Sequence, residues 1–319
     1  MVAARQTPES DTFDMWLLYA FSCPVLWAVS THIDKYLVER YFKNSDTTVL
    51  TVFTALIGVL MLPPIWLYQP GVFDLNLRDI AVLMVSGVLY MGAILFYLRA
   101  IQSEEASIVA PLFQTATLFT FLLAYLLLGE VLSWIQIGGG GLIIFGALLL
   151  SLDASLRLRS LKLRLIVLMM CATFVLALSS VIFKLFAVRD EFWITTFWTY
   201  AGEAVFGLGI IAVPSYRRQF FALFKQSPGP VIAINGANEL INLGGGVGVR
   251  FASLLAPVAL VSAISSTSTL FIFAFGILLT MFSPKFGRED VSWPMLAQKG
   301  VGAALIVAGV ILINMTENA

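Results

Sequence analysis

The sequence is dominated by apolar segments, each long enough to cross a lipid bilayer as a helix. The hydrocarbon core of a bilayer requires about 20 consecutive apolar residues in helical conformation. Ten segments of this size follow one another, and the connections between them are too short to hold a separate soluble domain. They cover Met15 to Leu37, Thr48 to Tyr68, Ile80 to Ile101, Ala106 to Leu128, Trp134 to Leu152, Leu163 to Val188, Thr195 to Pro214, Val231 to Arg250, Pro257 to Met281, and Met295 to Asn314. The sequence therefore predicts an all-α integral membrane protein with ten transmembrane helices.

The composition agrees with this class and excludes several others. Hydrophobic residues make up 59% of the chain and charged residues 12%, whereas about a quarter of a soluble domain is charged. Equal numbers of basic and acidic residues, 19 of each, leave no net charge to attract nucleic acid. Two cysteines, Cys23 and Cys171, and one histidine, His32, cannot assemble a standard zinc site. We therefore expect no nucleic-acid partner, no metal, no cofactor and no catalytic residues.

One apolar segment with polar positions occurs twice in the chain. The stretch "VAPLFQTATLFTFLLAYLLLGE" begins at Val109, and "VSAISSTSTLFIFAFGILLTMF" begins at Val261. An offset of 152 pairs Thr115 with Thr267 and Thr117 with Thr269. Weaker matches at similar offsets extend along almost the whole chain. They predict two five-helix repeats, over residues 1–152 and 153–319.

The odd number of helices in each repeat has a topological consequence. After five spans the second repeat enters the membrane from the opposite side, so the two repeats are inverted. Inverted repeats are typical of secondary transporters, which bind a substrate near the middle of the membrane between the repeats. A duplicated structural protein is the alternative, but matched polar positions that face a common interior are harder to explain in that way.

The eighth segment carries a stripe of polar side chains. Asn235, Glu239 and Asn242 recur at helical spacing, and Asn238 is adjacent. Lipid cannot satisfy these groups, and a carboxylate deep in a span costs several kcal/mol, so it faces a cavity or a partner. The stripe predicts substrate binding, with Glu239 also a candidate for proton coupling. The alternative is a set of hydrogen bonds that hold the helix bundle together.

Hydroxyl and amide groups form a second pattern in the fourth and ninth segments. The residues concerned are Gln114, Thr117, Ser262, Ser265, Ser266 and Thr269. Such groups can bind a ligand, but they also let helices approach closely or hydrogen-bond to their own backbone. Because the pattern occurs in both repeats, we expect Gln114, Thr117, Ser266 and Thr269 to line a shared cavity.

Two further residues are candidates with open alternatives. Glu203 lies in the seventh segment beside Gly202, and its counterpart in the first repeat has no acid; it is either a proton relay or a structural hydrogen-bond acceptor. Trp27 shares a face of the first helix with Asp34. That face either anchors the helix at the membrane interface or contributes to a substrate site.

These residues and their order resemble one known family. The two five-helix halves, the lysine near the end of the first helix of each ("IDKYL", "IFKLF"), "APLF" and "LLLGE" are similar to the EamA-like family of the drug/metabolite transporter superfamily. The resemblance implies a ten-helix carrier, with helices one to four of each half around a central cavity and the fifth and tenth outside. It also implies a small metabolite as the substrate.

The sequence thus predicts a secondary transporter that exports a small molecule and is coupled to protons. We expect it in a plasma membrane, the inner membrane of a bacterium, as a monomer or homodimer whose partners are the substrate and the lipid bilayer. The alternatives are a membrane scaffold or regulatory subunit, and a flippase-like protein that handles lipid. Basic residues concentrate in the loops after odd-numbered spans, which places both termini outside the cytoplasm, whereas the family resemblance implies cytoplasmic termini.

Overall fold

The computed structural model describes residues 9–40, 46, 48–103, 112–151, 163–226, 228–282 and 292–315. Regular structure within these ranges is helical throughout, as the sequence predicts. The α-helices are α1 (Glu9–Arg40), α2 (Thr48–Tyr68), α3 (Leu77–Ser103), α4 (Thr115–Leu123), α5 (Trp134–Ser151), α6 (Leu163–Asp190), α7 (Phe192–Ala212), α8 (Pro214–Gln226), α9 (Pro228–Leu255), α10 (Val258–Ser265), α11 (Ser268–Phe282) and α12 (Trp293–Met315). A 3-10 turn covers Pro70–Phe73, and a π-helical turn covers Ala124–Leu128.

Seven of the described helical stretches are long and apolar enough to cross a membrane. They are Trp16–Asp34, Thr48–Tyr68, Leu77–Ala100, Leu165–Asp190, Phe192–Ala212, Val258–Phe282 and Trp293–Ile313. Two shorter apolar stretches are Thr115–Leu128 and Trp134–Leu150. Helix α9 has 28 residues, but its amides, its carboxylate and its glycines make it less apolar than the others.

The distribution of side chains is the reverse of that in a soluble protein. Large apolar side chains such as Leu67 and Leu126 are exposed on the outside of the helices. Polar side chains such as Thr195, Asn235 and Asn238 are buried between them. An apolar exterior around a polar interior is stable only where lipid replaces water, so the chain is an integral membrane protein.

Two of the predicted spans contain interruptions. The helical residues before Gln114 are separated from α4 by a turn at that residue, and α10 and α11 are separated by a turn at Ser266 and Thr267. Hydroxyls bond locally to the backbone at both places: Thr115 Oγ1 donates to Leu112 O at 2.6 Å, and Thr269 Oγ1 donates to Ser266 O at 2.8 Å. Such bonds compete with continuous helix. The part of the fourth span from Ala106 to Pro111 lies outside the described residues.

The long helices pack as antiparallel pairs. Helix α1 lies along α9, α2 along α7, α3 along α6, and α5 along α12. Glycines allow the closest approach in the last pair: a Cβ added to Gly139 would lie 2.8 Å from Gly309 O, and one added to Gly302 would lie 2.9 Å from Gly146 O. The glycine-rich segments thus serve close helix packing.

Helix α8 is an element that the sequence analysis missed. It follows α7 and has 13 residues, too few to span the bilayer. Its buried Phe220 packs on Phe53 with ring centroids 5.2 Å apart, whereas Arg217, Arg218 and Lys225 are exposed. A search for spans assigns this stretch to a loop because a short amphipathic helix lacks a long apolar run.

Candidate functional site

The helices enclose a cavity of about 190 Å³ between α1, α3, α4, α6, α7, α9, α10 and α11. Its wall combines hydroxyl and amide groups with aromatic rings. Among the lining residues are Trp27, Gln114, Thr117, Arg250, Ser262 and Ser266. Four of the predicted site residues, namely Trp27, Gln114, Thr117 and Ser266, therefore meet in one space.

The interrupted helices contribute a cluster of hydroxyls to this wall. Thr117 Oγ1 lies 2.9 Å from Ser266 Oγ, and Ser262 Oγ donates to Thr117 Oγ1 at 3.2 Å. Gln114 Nε2 donates to Thr269 Oγ1 at 3.3 Å. The structure thus brings together the four residues predicted from the fourth and ninth segments, although Thr269 itself contacts Gln114 and is not among the residues that line the cavity.

Trp27 reaches the cavity because α9 has a glycine opposite it. A Cβ added to Gly245 would lie 2.9 Å from the Nε1 atom of Trp27. The absence of a side chain at Gly245 therefore leaves room for the indole against the backbone of α9. In this position the ring forms part of the cavity wall.

A buried ion pair joins α9 to α7. Arg250 Nη2 lies 2.9 Å from Glu203 Oε1, and the two side chains are 14% and 4% exposed. The guanidinium lies over the rings of Tyr200, at 4.8 Å, and Phe183, at 5.1 Å. Burial of a charge is costly unless it is paired. Arg250 and Glu203 neutralise each other, which explains why both can be buried.

This pair corrects two interpretations of the sequence. From the sequence, Glu203 is a carboxylate whose counterpart in the first repeat has no acid, and Arg250 is expected at the very end of the eighth span. The structure places Arg250 inside α9, facing Glu203. One signal was available, because a lone arginine and a lone glutamate in apolar segments usually pair with each other.

Glu239 lies in a second, smaller cavity of about 50 Å³. Thr54 Oγ1 donates to Glu239 Oε1 at 2.9 Å, and Asn242 and Glu203 line the same space. Arg250 belongs to the walls of both cavities. The predicted carboxylates Glu239 and Glu203 thus lie on one side of the arginine, and the hydroxyl cluster lies on the other.

The remaining two residues of the polar stripe lie outside both cavities. Asn238 Nδ2 donates to Asp34 Oδ1 at 2.6 Å, a contact that ties α9 to α1. Asn235 is buried, and its Nδ2 atom has no hydrogen-bond partner among the described residues. Helical spacing predicts that Asn235 and Asn238 lie on the same face of α9 as Glu239. Whether a residue of this face lines a cavity depends on the register of α1 against α9, which the spacing does not give.

A second ion pair holds the break before α10. Lys184 Nζ lies 2.6 Å from Glu130 Oε1 and donates to Ala256 O at 2.7 Å. Val258 N donates to the same glutamate oxygen at 3.2 Å. A carboxylate at the first turn of a helix is stabilised by the free backbone N–H groups there. In the sequence, Lys184 and Glu130 stand out only as parts of the motifs "IFKLF" and "LLLGE", which contribute to the family resemblance.

The fold and the site together define a polytopic membrane protein with an internal polar cavity and a buried ion pair in its wall. The EamA-like transporter family matches residues 14–152. This match confirms, over that part of the chain, the resemblance drawn from the sequence. The family match and the apolar helices indicate a membrane transporter.

Comparison with solved structures extends the likeness of the fold to the whole chain. One crystal structure, described only as "Crystal structure of protein", is 17% identical and superposes with a TM-score of 0.67. The match covers 97% of this chain and 98% of that one. The search of curated proteins found no match.

Proposed function

We propose that the protein is a secondary transporter that exports a small metabolite across a plasma membrane, the inner membrane of a bacterium. It has ten spans in two inverted repeats, 1–152 and 153–319, with the substrate bound in the cavity between them. Glu239 and Glu203 couple transport to protons. The protein acts as a monomer or homodimer in the bilayer.

The observation that supports this most strongly is a pair of reciprocal contacts. At the offset of 152, Ser266 is the position equivalent to Gln114, and Thr269 is the position equivalent to Thr117. When the two repeats are exchanged, the contact between Gln114 and Thr269 therefore becomes the contact between Ser266 and Thr117. Both contacts are present, at 3.3 Å and 2.9 Å. Two repeats related by a twofold axis between these residues account for both.

The direction of that axis follows from α5 and α12, the last helix of each predicted repeat. Gly139 lies by Gly309 and Gly146 lies by Gly302, so the two helices run antiparallel. A twofold axis that exchanges antiparallel helices is perpendicular to them. For helices that span the membrane, such an axis lies in the membrane plane, which supports inverted repeats.

The cavity suits a substrate site of this kind. It lies between the two proposed repeats, and interrupted helices from both contribute to its wall. Movement of one repeat against the other would open it to each side of the membrane in turn. A scaffold has no need of such a cavity, and a lipid-handling protein requires a groove that opens sideways to the bilayer.

Ligand binding tests the proposal even while the substrate is unidentified. The purified protein in detergent is screened against a metabolite library for thermal stabilisation, and each hit is then assayed for transport in proteoliposomes. We expect hits that stabilise the wild type but lose most of their effect in Thr117→Val with Ser266→Ala. Thr31→Val is the control, because Thr31 is exposed and its hydroxyl donates to Trp27 O within the same helix.

Two results would overturn the proposal. One is a library without any stabilising compound together with no transport by the wild type. The other is a transported compound whose stabilising effect is the same in the cavity variant and in the Thr31→Val control. The first result favours a scaffold, and the second places the substrate outside this cavity.

A further inference from the structure

We infer that Arg250 is the substrate-binding cation of the larger cavity and that the substrate carries a carboxylate, which competes with Glu203 for the guanidinium. This inference rests on the proposed function, because it names the chemical class bound at the proposed site.

Charge within the larger cavity points to Arg250. It is the one charged side chain among the described residues that line this cavity. The other polar lining groups are hydroxyls, the amide of Gln114 and the indole of Trp27. A substrate with a single negative charge would therefore find its ionic partner only at Arg250, whereas a cationic substrate would find no carboxylate among the described residues that line this cavity.

The guanidinium also has an unused donor. Its Nη2 atom bonds to Glu203, but its Nη1 atom is buried and has no hydrogen-bond partner in the described part of the chain. An unsatisfied buried donor costs about 1–3 kcal/mol, and more when the group is charged. Such a cost is tolerated where a ligand supplies the missing acceptor.

The bond to Glu203 shows which ligand fits. The guanidinium presents donors in a planar fork that matches the two oxygens of a carboxylate. Arg250 already binds one carboxylate in this setting, with Tyr200 and Phe183 against the guanidinium. A carboxylate fits better than a phosphate dianion because one positive charge balances one negative charge.

The other lining residues indicate which further chemical groups the substrate carries. Thr117, Ser262 and Ser266 can exchange hydrogen bonds with a hydroxyl or carbonyl group, and Trp27 and Phe113 offer aromatic surface. The cavity volume of about 190 Å³ limits the ligand to a small molecule. The expected class is a small organic acid with a further polar or aromatic group.

Glu203 acts in this scheme as an internal competitor. When a substrate carboxylate occupies Arg250, Glu203 loses its ionic partner, and when the substrate leaves, Glu203 takes it back. The empty site thus keeps its arginine neutralised. Removing the charge of Glu203 therefore increases affinity for the substrate, whereas removing the fork of Arg250 decreases it.

The experiment compares acids with their neutral amides, so it does not depend on identifying the substrate first. Lactate, 3-hydroxybutyrate and benzoate are each titrated against lactamide, 3-hydroxybutyramide and benzamide, with thermal stabilisation of the detergent-purified full chain as the readout. At least one acid is expected to stabilise the wild type while its amide has no effect. Glu203→Gln should lower the concentration for half-maximal stabilisation about tenfold, and Arg250→Lys should raise it at least tenfold.

Two controls separate binding from folding. Arg189→Lys alters an exposed arginine that pairs with Asp79 and Asp190 at the end of α6, and it should leave the titration unchanged. If Arg250→Lys does not fold, the wild-type comparison of acid with amide and the Glu203→Gln titration still decide. Equal stabilisation by acid and amide, or weaker binding of the acid to Glu203→Gln, would refute the inference.

The outcomes also distinguish this inference from the proposed function. Acids that bind through Arg250 but are not transported in proteoliposomes would contradict the transporter and leave the anion site intact. Transport of an uncharged or cationic compound with unchanged rate in Arg250→Lys would contradict the anion site and leave the transporter intact.

Discussion

The hydroxyl of Thr117 lies 2.9 Å from the hydroxyl of Ser266, across the gap between two interrupted helices. The contact joins residues 149 positions apart in the sequence, and the offset of 152 converts it into the contact between Gln114 and Thr269. Because each contact becomes the other when the two repeats are exchanged, the repeat relationship extends to the residues of the cavity wall. It is not confined to helices that pack around the cavity.

Cysteine crosslinking tests this relationship directly. In a background without Cys23 and Cys171, the pair Thr117→Cys and Ser266→Cys should form a disulfide on mild oxidation. The two hydroxyl oxygens lie 2.9 Å apart and each is one bond from its Cβ atom, so the Cβ atoms lie near the separation that a disulfide requires, about 3.5–4.5 Å. The yield is measured by mass spectrometry of the crosslinked peptides.

Leu118 provides the matched control for this experiment. It is the neighbour of Thr117 in α4 but is 54% exposed on the outer side of the helix. Leu118→Cys with Ser266→Cys should give little or no crosslink. A higher yield at position 118 than at position 117 would show that α4 is rotated and turns a different face towards Ser266.

The sequence predicts the hydroxyl cluster well because the information is local and repeated. The matched spacing of Thr117 and Thr269 places polar groups at the same depth in two helices, and duplication implies that they meet. The pairing of Arg250 with Glu203 is different, because it depends on how α9 is rotated and shifted against α7. Periodicity within one helix contains no information on that register, so the central ion pair was missed.

Helices α3 and α7 pack so closely at Gly87 that no side chain fits at this position. A Cβ added there would overlap the carbonyl oxygen of Thr199, whereas a Cβ added to Gly92 in the same helix meets nothing within 4 Å. Gly87→Ala should therefore lower the thermal unfolding temperature in detergent by several degrees. Gly92→Ala should leave it unchanged or raise it, because alanine favours helix over glycine by about 1 kcal/mol. Equal effects of the two substitutions would show that α3 and α7 do not approach so closely at Gly87.

The pair formed by Lys184 and Glu130 should be important for stability. Each side chain is nearly buried, at 13% and 12% exposure, so loss of one partner leaves a buried charge. Lys184→Met should destabilise the protein by about 3–5 kcal/mol. Lys184→Met combined with Glu130→Leu should cost less than the sum of the single changes, which a double-mutant cycle of thermal unfolding measures. Additive effects would mean that the two groups act independently.

The positions of the basic residues bear on orientation in the membrane. Arg217, Arg218 and Lys225 of α8 are exposed, on the side that the sequence analysis assigned to the cytoplasm. Lys184 and Arg250, which lie towards the ends of the sixth and eighth segments on the opposite side, are buried and paired with carboxylates. That side is therefore poorer in free basic residues than the sequence suggested, and the positive-inside rule places both termini outside the cytoplasm. A C-terminal reporter that is active only outside the cytoplasm should be active; an inactive reporter beside an active cytoplasmic one would reverse the orientation.

Glu239 should couple transport to protons, because it is a carboxylate in a small cavity and has no basic partner among its described hydrogen bonds. Its partners are Thr54, at 2.9 Å, and the neighbouring Asn242. The cavity that it shares with Arg250 and Glu203 offers a route for proton exchange.

Glu239→Gln preserves the size of the side chain and its bond to Thr54 but removes the proton that can be exchanged. The variant should keep the unfolding temperature of the wild type and bind substrate, while transport in proteoliposomes loses its dependence on an imposed pH gradient. Glu191→Gln is the control, since Glu191 is exposed between α6 and α7, where it accepts a hydrogen bond from Gln69 Nε2 at 2.7 Å. If Glu239→Gln still responds to the gradient as the control does, Glu239 is a structural hydrogen-bonding group and the coupling residue lies elsewhere, with Glu203 the next to be changed.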